Sequence, residues 1–315
     1  MTSEKVTEML YRTQVFSLLI SALFLLSTPH ASAERKTVKI VVTSATVSLK
    51  GMPVYDEMAR YFSRKLGWNV KVVSNLSYAE SDNMLDKGVI QIGFVCGLPY
   101  INNFAQDKYE LLAIPIMSMK KSVFADAKGY EDIPGKYYSY TIVRKDSPLK
   151  TWADLKGKSY AFNEMTSNSG YNLPRAKLIS LGARNWQYFS RIVVSGSHEE
   201  SIRLVANGAV DASSVDSLVL DYDRLLHDTA ALNVRIIEHL GPAGIPPVVI
   251  SKKADQSIKQ PMMNVMLGMH NDPEGKRILD KALMTRFAPP DDKNYNDIRD
   301  YQKMAVNAGF VDYRQ

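Results

Sequence analysis

The sequence predicts an α/β fold of two lobes, each a mostly parallel sheet flanked by helices, with a cleft between them. Three observations carry this. Apolar strand-like runs alternate with stretches of helical apolar spacing, the alternation restarts once in mid-chain, and a late strand-like run with a proline-rich bend leads back.

Residues 39–43 (KIVVT) read as a first buried strand. Tyr55, Met58, Phe62 and Leu66 then recur at helical spacing, and Gly67 ends that helix. NVKVV is a second strand, 78–87 a second helix closed by Gly88, and VIQIGFV a third strand. The order restarts with YYSYTIVRK as a strand. SPLKTWADLKGKSYAF follows as a short helix, a glycine turn and a strand, then YNLPRAKLISLG as a helix with Pro174 early and Gly182 at its end. SRIVVSGS is strand then loop, HEESIRLVANG a helix, and VDASSVDS strand then loop. VRIIEHLGPAGIPPVVIS is the return strand, and the tail from Gln260 reads as helical.

The start of the chain is read as a leader rather than as fold. Residues 15–26 form an apolar run short for a bilayer, followed by an Ala31-Ser32-Ala33 cleavage box and a switch to charge. Glu4 and Glu8 offset Lys5 and Arg12, whereas a start at Met9 gives a cleaner basic leader; the alternative is an uncleaved anchor. Cleavage after Ala33 leaves 282 residues, enough for two modest lobes, expected soluble and periplasmic. A single cysteine, Cys96, excludes an internal disulfide, and its place beside the cleft is read as a small buried apolar residue. The net charge of +6 is dispersed without basic runs, which argues against nucleic acid as the partner.

In open α/β sheets ligands sit beyond the carboxyl ends of strands, so the loops there hold the candidate residues. Ser167, Asn168, Ser169 and Gly170 open a helix, where unpaired N–H groups and a partial positive charge favour an anion. Two readings stay open at that corner: one serine caps the helix, or all three side chains cradle an oxyanion with Gly170 admitting a ligand oxygen. Ser197 and Glu200 form an S-x-x-E box that puts His198 in a first helical turn, as an anion donor or a surface histidine. Asp216 can bond a ligand proton or amine, or cap the helix starting near Leu218. Tyr100, placed at the end of the third strand, and Tyr78, at the start of the second helix, are further candidates.

Ser169, His198 and Asp216 spell a nominal catalytic set. No glycine precedes the serine as in a G-x-S-x-G elbow, and no phosphate-loop, dinucleotide or H-E-x-x-H motif occurs. No histidine pair has metal-ligand spacing. The chain reads as a binder without catalytic residues, metal or cofactor.

SPLKTWADLKGKSYAF, SNSGYNLPR, SGSHEESIRLVANGAVDASSVDSLV and GIPPVVIS together resemble the phosphate/phosphite/phosphonate-binding proteins of ABC transporters. The likeness runs in order over nearly the whole mature chain. The SNSG, GSHE and VDS combination carries it; the D-L-K-G-K turn alone is common among solute-binding proteins. The resemblance implies a two-lobed type II periplasmic binding fold, with lobe one over 34–135, lobe two over 136–245, and 246–315 returning to lobe one. It implies an oxyanion held by Ser167, Asn168 and Ser169, with Tyr100 and His198 completing the pocket and Asp216 meeting an acidic proton or the substituent. It also implies a monomer that delivers its ligand to a membrane permease. Other outcomes of the same fold are a different small anion or a role beside a membrane sensor. Two departures touch the pocket lining: VTSATVSLKG lacks the proline often found there, and Asn168 stands where many relatives have threonine.

Overall fold

The computed structural model describes residues 35–44, 47–118, 133–183, 185–310 and 313, and counts and absences below refer to these. The expected leader and its Ala33 cleavage position lie outside the described residues.

The first half builds as its apolar spacing requires. Strand β1 (Thr37–Val42) leads through a turn to helix α1 (Met52–Leu66), which buries Val54, Tyr55, Met58 and Phe62 and ends where Gly67 turns left-handed at φ +69°. Strand β2 (Asn69–Val73) precedes helix α2 (Tyr78–Asp86), which begins with a capping box between Ser77 and Glu80. Strand β3 (Ile92–Phe94), helix α3 (Gly97–Ala105) and strand β4 (Tyr109–Met117) follow.

The second half holds β5 (Lys136–Arg144), β6 (Ser159–Phe162), α4 (Leu173–Ser180), β7 (Arg191–Val194), α5 (His198–Ala206), β8 (Ala212–Asp216), α6 (Ser217–Leu225), α7 (Thr229–Leu232) and β9 (Val234–Gly244). The chain then returns through β10 (Val248–Ser251), α8 (Lys259–Gly268), α9 (Pro273–Lys281), β11 (Met284–Ala288) and α10 (Asn296–Asn307).

These strands form two sheets, ordered β11-β4-β10-β3-β1-β2 and β7-β6-β8-β5-β9. The strand–helix–strand units pair in parallel, β2-β1-β3 in one sheet and β7-β6-β8 in the other. Strands that arrive by other connections run antiparallel: β10 against β3 and β4, β11 against β4, and β5 against β8 and β9. Each sheet is therefore a parallel core extended by antiparallel strands, more mixed than the mostly parallel expectation. The tail is likewise not wholly helical, because β11 adds an edge strand with Phe287 opposite Pro115 of β4.

Two connections join the sheets, from β4 to β5 and from β9 to β10. Where each meets the second sheet they touch, the Ile245 N–H donating to the Gly135 carbonyl at 2.9 Å. The C-terminal segment braces this seam. Asn294 donates to the Gly135 carbonyl, and Asp297 accepts from the Gly244 N–H and from Lys136.

Candidate functional site

The Ser167-Asn168-Ser169-Gly170 corner opens into a wide helical turn, Asn168–Asn172, before α4 begins; the Asn172 N–H reaches back to the Ser167 carbonyl at 3.0 Å. Pro174 has no N–H to return to the Gly170 carbonyl four residues earlier, so the α pattern cannot start there. Ser167 takes the capping role, its hydroxyl accepting from the Gly170 N–H at 2.9 Å. Gly170 serves a different purpose from the expected one. A Cβ there would lie 1.6 Å from Asn163 Oδ1, so its bare face is filled by a protein side chain rather than left for a ligand.

Asn168 is held on three sides. Its N–H donates to Cys96 Sγ at 3.2 Å, its Oδ1 accepts from Asn172, and its Nδ2 donates to the Tyr137 hydroxyl at 3.0 Å. Arg175 in turn donates to Asn172, which leaves a guanidinium three residues past the turn but not in it. Tyr137, fully buried on β5, accepts from Asn168 and has the Ser169 side chain within hydrogen-bond reach of its hydroxyl.

Ser169 donates to Asp216 Oδ2 at 3.3 Å, and Asp216 Oδ1 accepts from the Leu218 N–H at 2.9 Å, capping α6. Burial raises the Asp216 carboxyl well above the usual carboxylate range, with Asp221 adding to it, which favours its neutral form. The Asp216 N–H donates to His198 Nδ1 at 3.1 Å. That bond puts the imidazole proton on Nε2, and burial lowers the His198 pKa to about 3, so the ring is neutral. His198 Nε2 is buried and has no hydrogen-bond partner.

Tyr78, from the other lobe, packs on Cys96, and its buried hydroxyl lies near Ser44 without a well-formed hydrogen bond. Burial raises its pKa well above the usual phenol, and the nearby Cys96, Glu164 and Asp216 push the same way. Ser167, Asn168, Ser169, His198 and Asp216 are all 0 % exposed. Desolvation lifts Glu164, at the rim of this group, to about 7, and its carboxylate is the long 3.4 Å acceptor of the Tyr78 N–H.

Ser167, Asn168, Ser169, His198, Asp216 and Tyr78 thus lie in one chain of contacts. Tyr100 does not join them. It sits on α3 rather than at a strand end, and its hydroxyl donates to Asp292 at 2.7 Å while its ring packs on Tyr295. Ser197 does cap α5, accepting from the Glu200 N–H, while the Glu200 carboxylate turns to Arg203 instead of closing the box. Tyr137 and Glu164 are the neighbours that the loop-by-loop reading passed over, while Cys96, read as a small buried apolar residue beside the cleft, also accepts from the Asn168 N–H. One signal for Tyr137 was present: alternation on β5 puts Tyr137, Ser139 and Thr141 on one face, and Ser139 donates to the Ser169 carbonyl at 2.6 Å.

Among the described residues no group of three or more His, Cys, Asp or Glu could hold a metal ion, and no helix is long and apolar enough to cross a membrane. What the site offers is a buried set of uncharged donors, and one carboxyl whose burial favours its neutral form, between two lobes, an arrangement for holding a solute.

Two α/β lobes with such a buried donor set between them have the fold of a type II periplasmic binding protein. The profile of the family described as "ABC transporter, phosphonate, periplasmic substrate-binding protein" matches residues 40–295, and the chain belongs to that family. It is a family of substrate-binding proteins rather than enzymes, components of periplasmic importers that work with a membrane permease. The chain is 23 % identical over 288 residues to the phosphonates-binding periplasmic protein of Escherichia coli, covering 90 % of this chain and 81 % of that one. A binding-protein component of an ABC phosphonate transporter from Pseudomonas aeruginosa superposes with a TM-score of 0.74 at 19 % identity, covering 87 % and 89 % of the two chains. The Prochlorococcus marinus PhnD1 structure in complex with methylphosphonate gives 0.72 at 18 % identity, with 87 % and 99 % covered.

Proposed function

We propose that this protein captures a small phosphorus oxyanion, a phosphonate, phosphite or phosphate, and delivers it to the permease of its importer. The ligand oxygens would be held by Ser167, Asn168 and Ser169 with His198 Nε2, Tyr137 and Tyr78, and Asp216 would donate its carboxyl proton. The observation that carries this reading is the buried His198 Nε2 donor without an acceptor beside the serine turn, with the Tyr78 hydroxyl near it. Leaving a buried polar group unpaired costs about 1–3 kcal/mol, and an oxyanion supplies the missing acceptor. Hydrogen bonds to a charged group contribute about 1.5–3 kcal/mol each, so several suffice for micromolar binding, about −8 kcal/mol. Uncharged donors favour release as well as capture, since no fixed cation must be separated from the ligand.

Tyr100 is left out of this pocket because its hydroxyl and ring are engaged by Asp292 and Tyr295, and no hydrogen bond or ring contact joins it to the serine turn's side chains. The lobe boundaries at 135/136 and 245/246, a monomeric state, and signal cleavage after Ala33 belong to the same proposal. The test is a thermal-shift panel of phosphate, phosphite, methylphosphonate, aminoethylphosphonate, sulfate and carboxylates. A phosphorus compound should raise the melting temperature through linkage, by about 2.7 kcal/mol of stability at 100 times Kd. A response to sulfate or carboxylates alone would overturn the reading.

A further inference from the structure

The end of the chain lies across both lobes. Helix α10 closes in a Schellman turn: Gly309 is left-handed at φ +62°, its N–H donates to the Val306 carbonyl, and the Phe310 N–H donates to the Ala305 carbonyl, each at 3.0 Å. That turn takes the chain off the helix and sets the Phe310 ring edge-on against Trp186 of lobe two, the centroids 4.7 Å apart at 86°. The Tyr313 N–H then donates to the Tyr171 hydroxyl at 3.0 Å. Tyr171 stacks on Trp186 and is itself part of the wide turn that carries Ser169. Nearer its start α10 meets the same turn again: the Ile298 carbonyl accepts at 3.5 Å from Asn172 Nδ2, the nitrogen that also donates to Asn168 Oδ1. The helix holds lobe one as well. Gln302 Nε2 donates to Asn102 Oδ1 of α3 at 3.0 Å, and Ile298 Cδ1 would lie 2.4 Å from a Cβ on Gly97.

Chain ends fray unless they are tied down, and Phe310 is only 5 % exposed. A segment fastened to two bodies cannot keep every contact when those bodies rotate apart, so parting the lobes must break or reshape one set. We propose that Phe310 and Tyr313 form a strap that holds the lobes closed, tying the turn of Ser169 to a helix anchored on lobe one. This step rests on the binding reading only in that the lobes must part to admit a solute; which solute does not enter. The strap touches the back of the turn through Tyr171 and Asn172 and none of the proposed donors. It therefore sets how long a solute is held, and leaves the choice of solute to the donors.

Iodoacetamide labelling of Cys96 in the ligand-free protein reads the strap, because that thiol is buried against Asn168 where the lobes meet. Gln302→Ala should speed labelling about 2- to 10-fold, the worth of one ordinary hydrogen bond, and Phe310→Ala by at least as much. Parting the lobes exposes little surface, so these rates should stay nearly flat in low urea. A rate that climbs with urea as steeply as global unfolding would mean that the substitutions only weaken the fold, and would overturn the strap. With methylphosphonate as the probe, both variants should release ligand faster by the same factors, keeping the order of preference among phosphate, phosphite and sulfate. Unchanged labelling in both variants, or an altered order of preference, would overturn the inference and leave the oxyanion reading standing. If no phosphorus compound binds, the oxyanion reading falls and the labelling still decides the strap. If Phe310→Ala does not fold, Gln302→Ala carries the test.

Discussion

The backbone N–H of Asn168 donates to Cys96 Sγ at 3.2 Å, so the only cysteine of the chain joins the serine turn of lobe two to the start of α3 in lobe one. A thiol is a weak acceptor, and a contact so easily given up suits two surfaces that must part. Burial pushes the Cys96 thiol up to about 12, which keeps it neutral and unreactive while the lobes are shut.

Alkylation of Cys96 should therefore report opening. Iodoacetamide labelling followed by mass spectrometry is expected to be slow, and slower still with ligand. If only the open form reacts, methylphosphonate at 100 times Kd should retard labelling about a hundredfold. A rate indifferent to ligand would mean that the thiol is reached without separation of the lobes.

His198 is expected to matter as a neutral donor. His198→Ala should lower oxyanion affinity about 10- to 150-fold, the range of one hydrogen bond to a charged group, and His198→Gln should recover part of it. Its folded pKa, about 3, lies below the free value of 6.5. The unfolded chain thus takes up the proton first, so stability is complete above pH 6.5 and declines as pH falls toward 3. Denaturant titrations over that window should show a shallower decline for His198→Gln.

Much of this site was readable from residue types and spacing because local chemistry dictates it. Ser197 caps α5, Asp216 caps α6, and Gly67 and Gly88 end helices through left-handed backbone, each a matter of a few neighbouring residues. The less legible parts depend on residues far apart in sequence. The Tyr137–Asn168 bond spans 31 positions and the Cys96–Asn168 bond 72, and no periodicity announces either. Tyr100 was misplaced because Cys96 ends the strand run sooner than the apolar pattern suggests, which puts CGLPY at a helix start. Strand β4 hides behind Pro115, a residue that normally speaks against a strand, and β11 behind two consecutive exposed residues, Thr285 and Arg286, that break the alternation at a sheet edge.

Glu164 should make binding fall as pH rises through about 7. Desolvation raises it to that value with no cation to offset it, and Asp82 and Glu80 push in the same direction. Below that pH the group is neutral beside an anionic guest; above it a carboxylate repels the guest. The same shift costs folding stability progressively between the free value of 4.5 and about 7. Glu164→Gln should flatten that part of the affinity profile, leaving only the ligand's own ionisation. Superimposable profiles for the two proteins would place Glu164 outside the field of the site.

Gly170→Ala is expected to destabilise by about 1–3 kcal/mol, the usual cost of overpacking, and to lower the melting temperature by several degrees. The new methyl would collide with Asn163 Oδ1, and Asn163 is tied to α5 through Ser201 Oγ at 2.7 Å and the Ser197 carbonyl. Asn163→Ala in the same chain should return part of the lost stability. Calorimetry of the single and double variants decides it, since strict additivity would locate the strain elsewhere.

Glu199 links the anion site to closure. Its neighbour His198 faces the donors, while the Glu199 carboxylate crosses to lobe one and accepts from the Leu49 N–H at 2.9 Å. Beside it Lys50 pairs with Asp228, and the Tyr222 ring rests against Gly51. These contacts exist only when the lobes meet, so they slow release without touching the ligand. Glu199→Ala should raise the dissociation rate about 2- to 10-fold, the worth of one ordinary hydrogen bond, with the association rate and the order of preference among anions unchanged. Added salt should speed release from the unsubstituted protein by screening Lys50 from Asp228. Stopped-flow fluorescence of Trp152 and Trp186 can follow both. A variant that alters anion preference, or slows association, would show Glu199 acting on the ligand and not on the closed state.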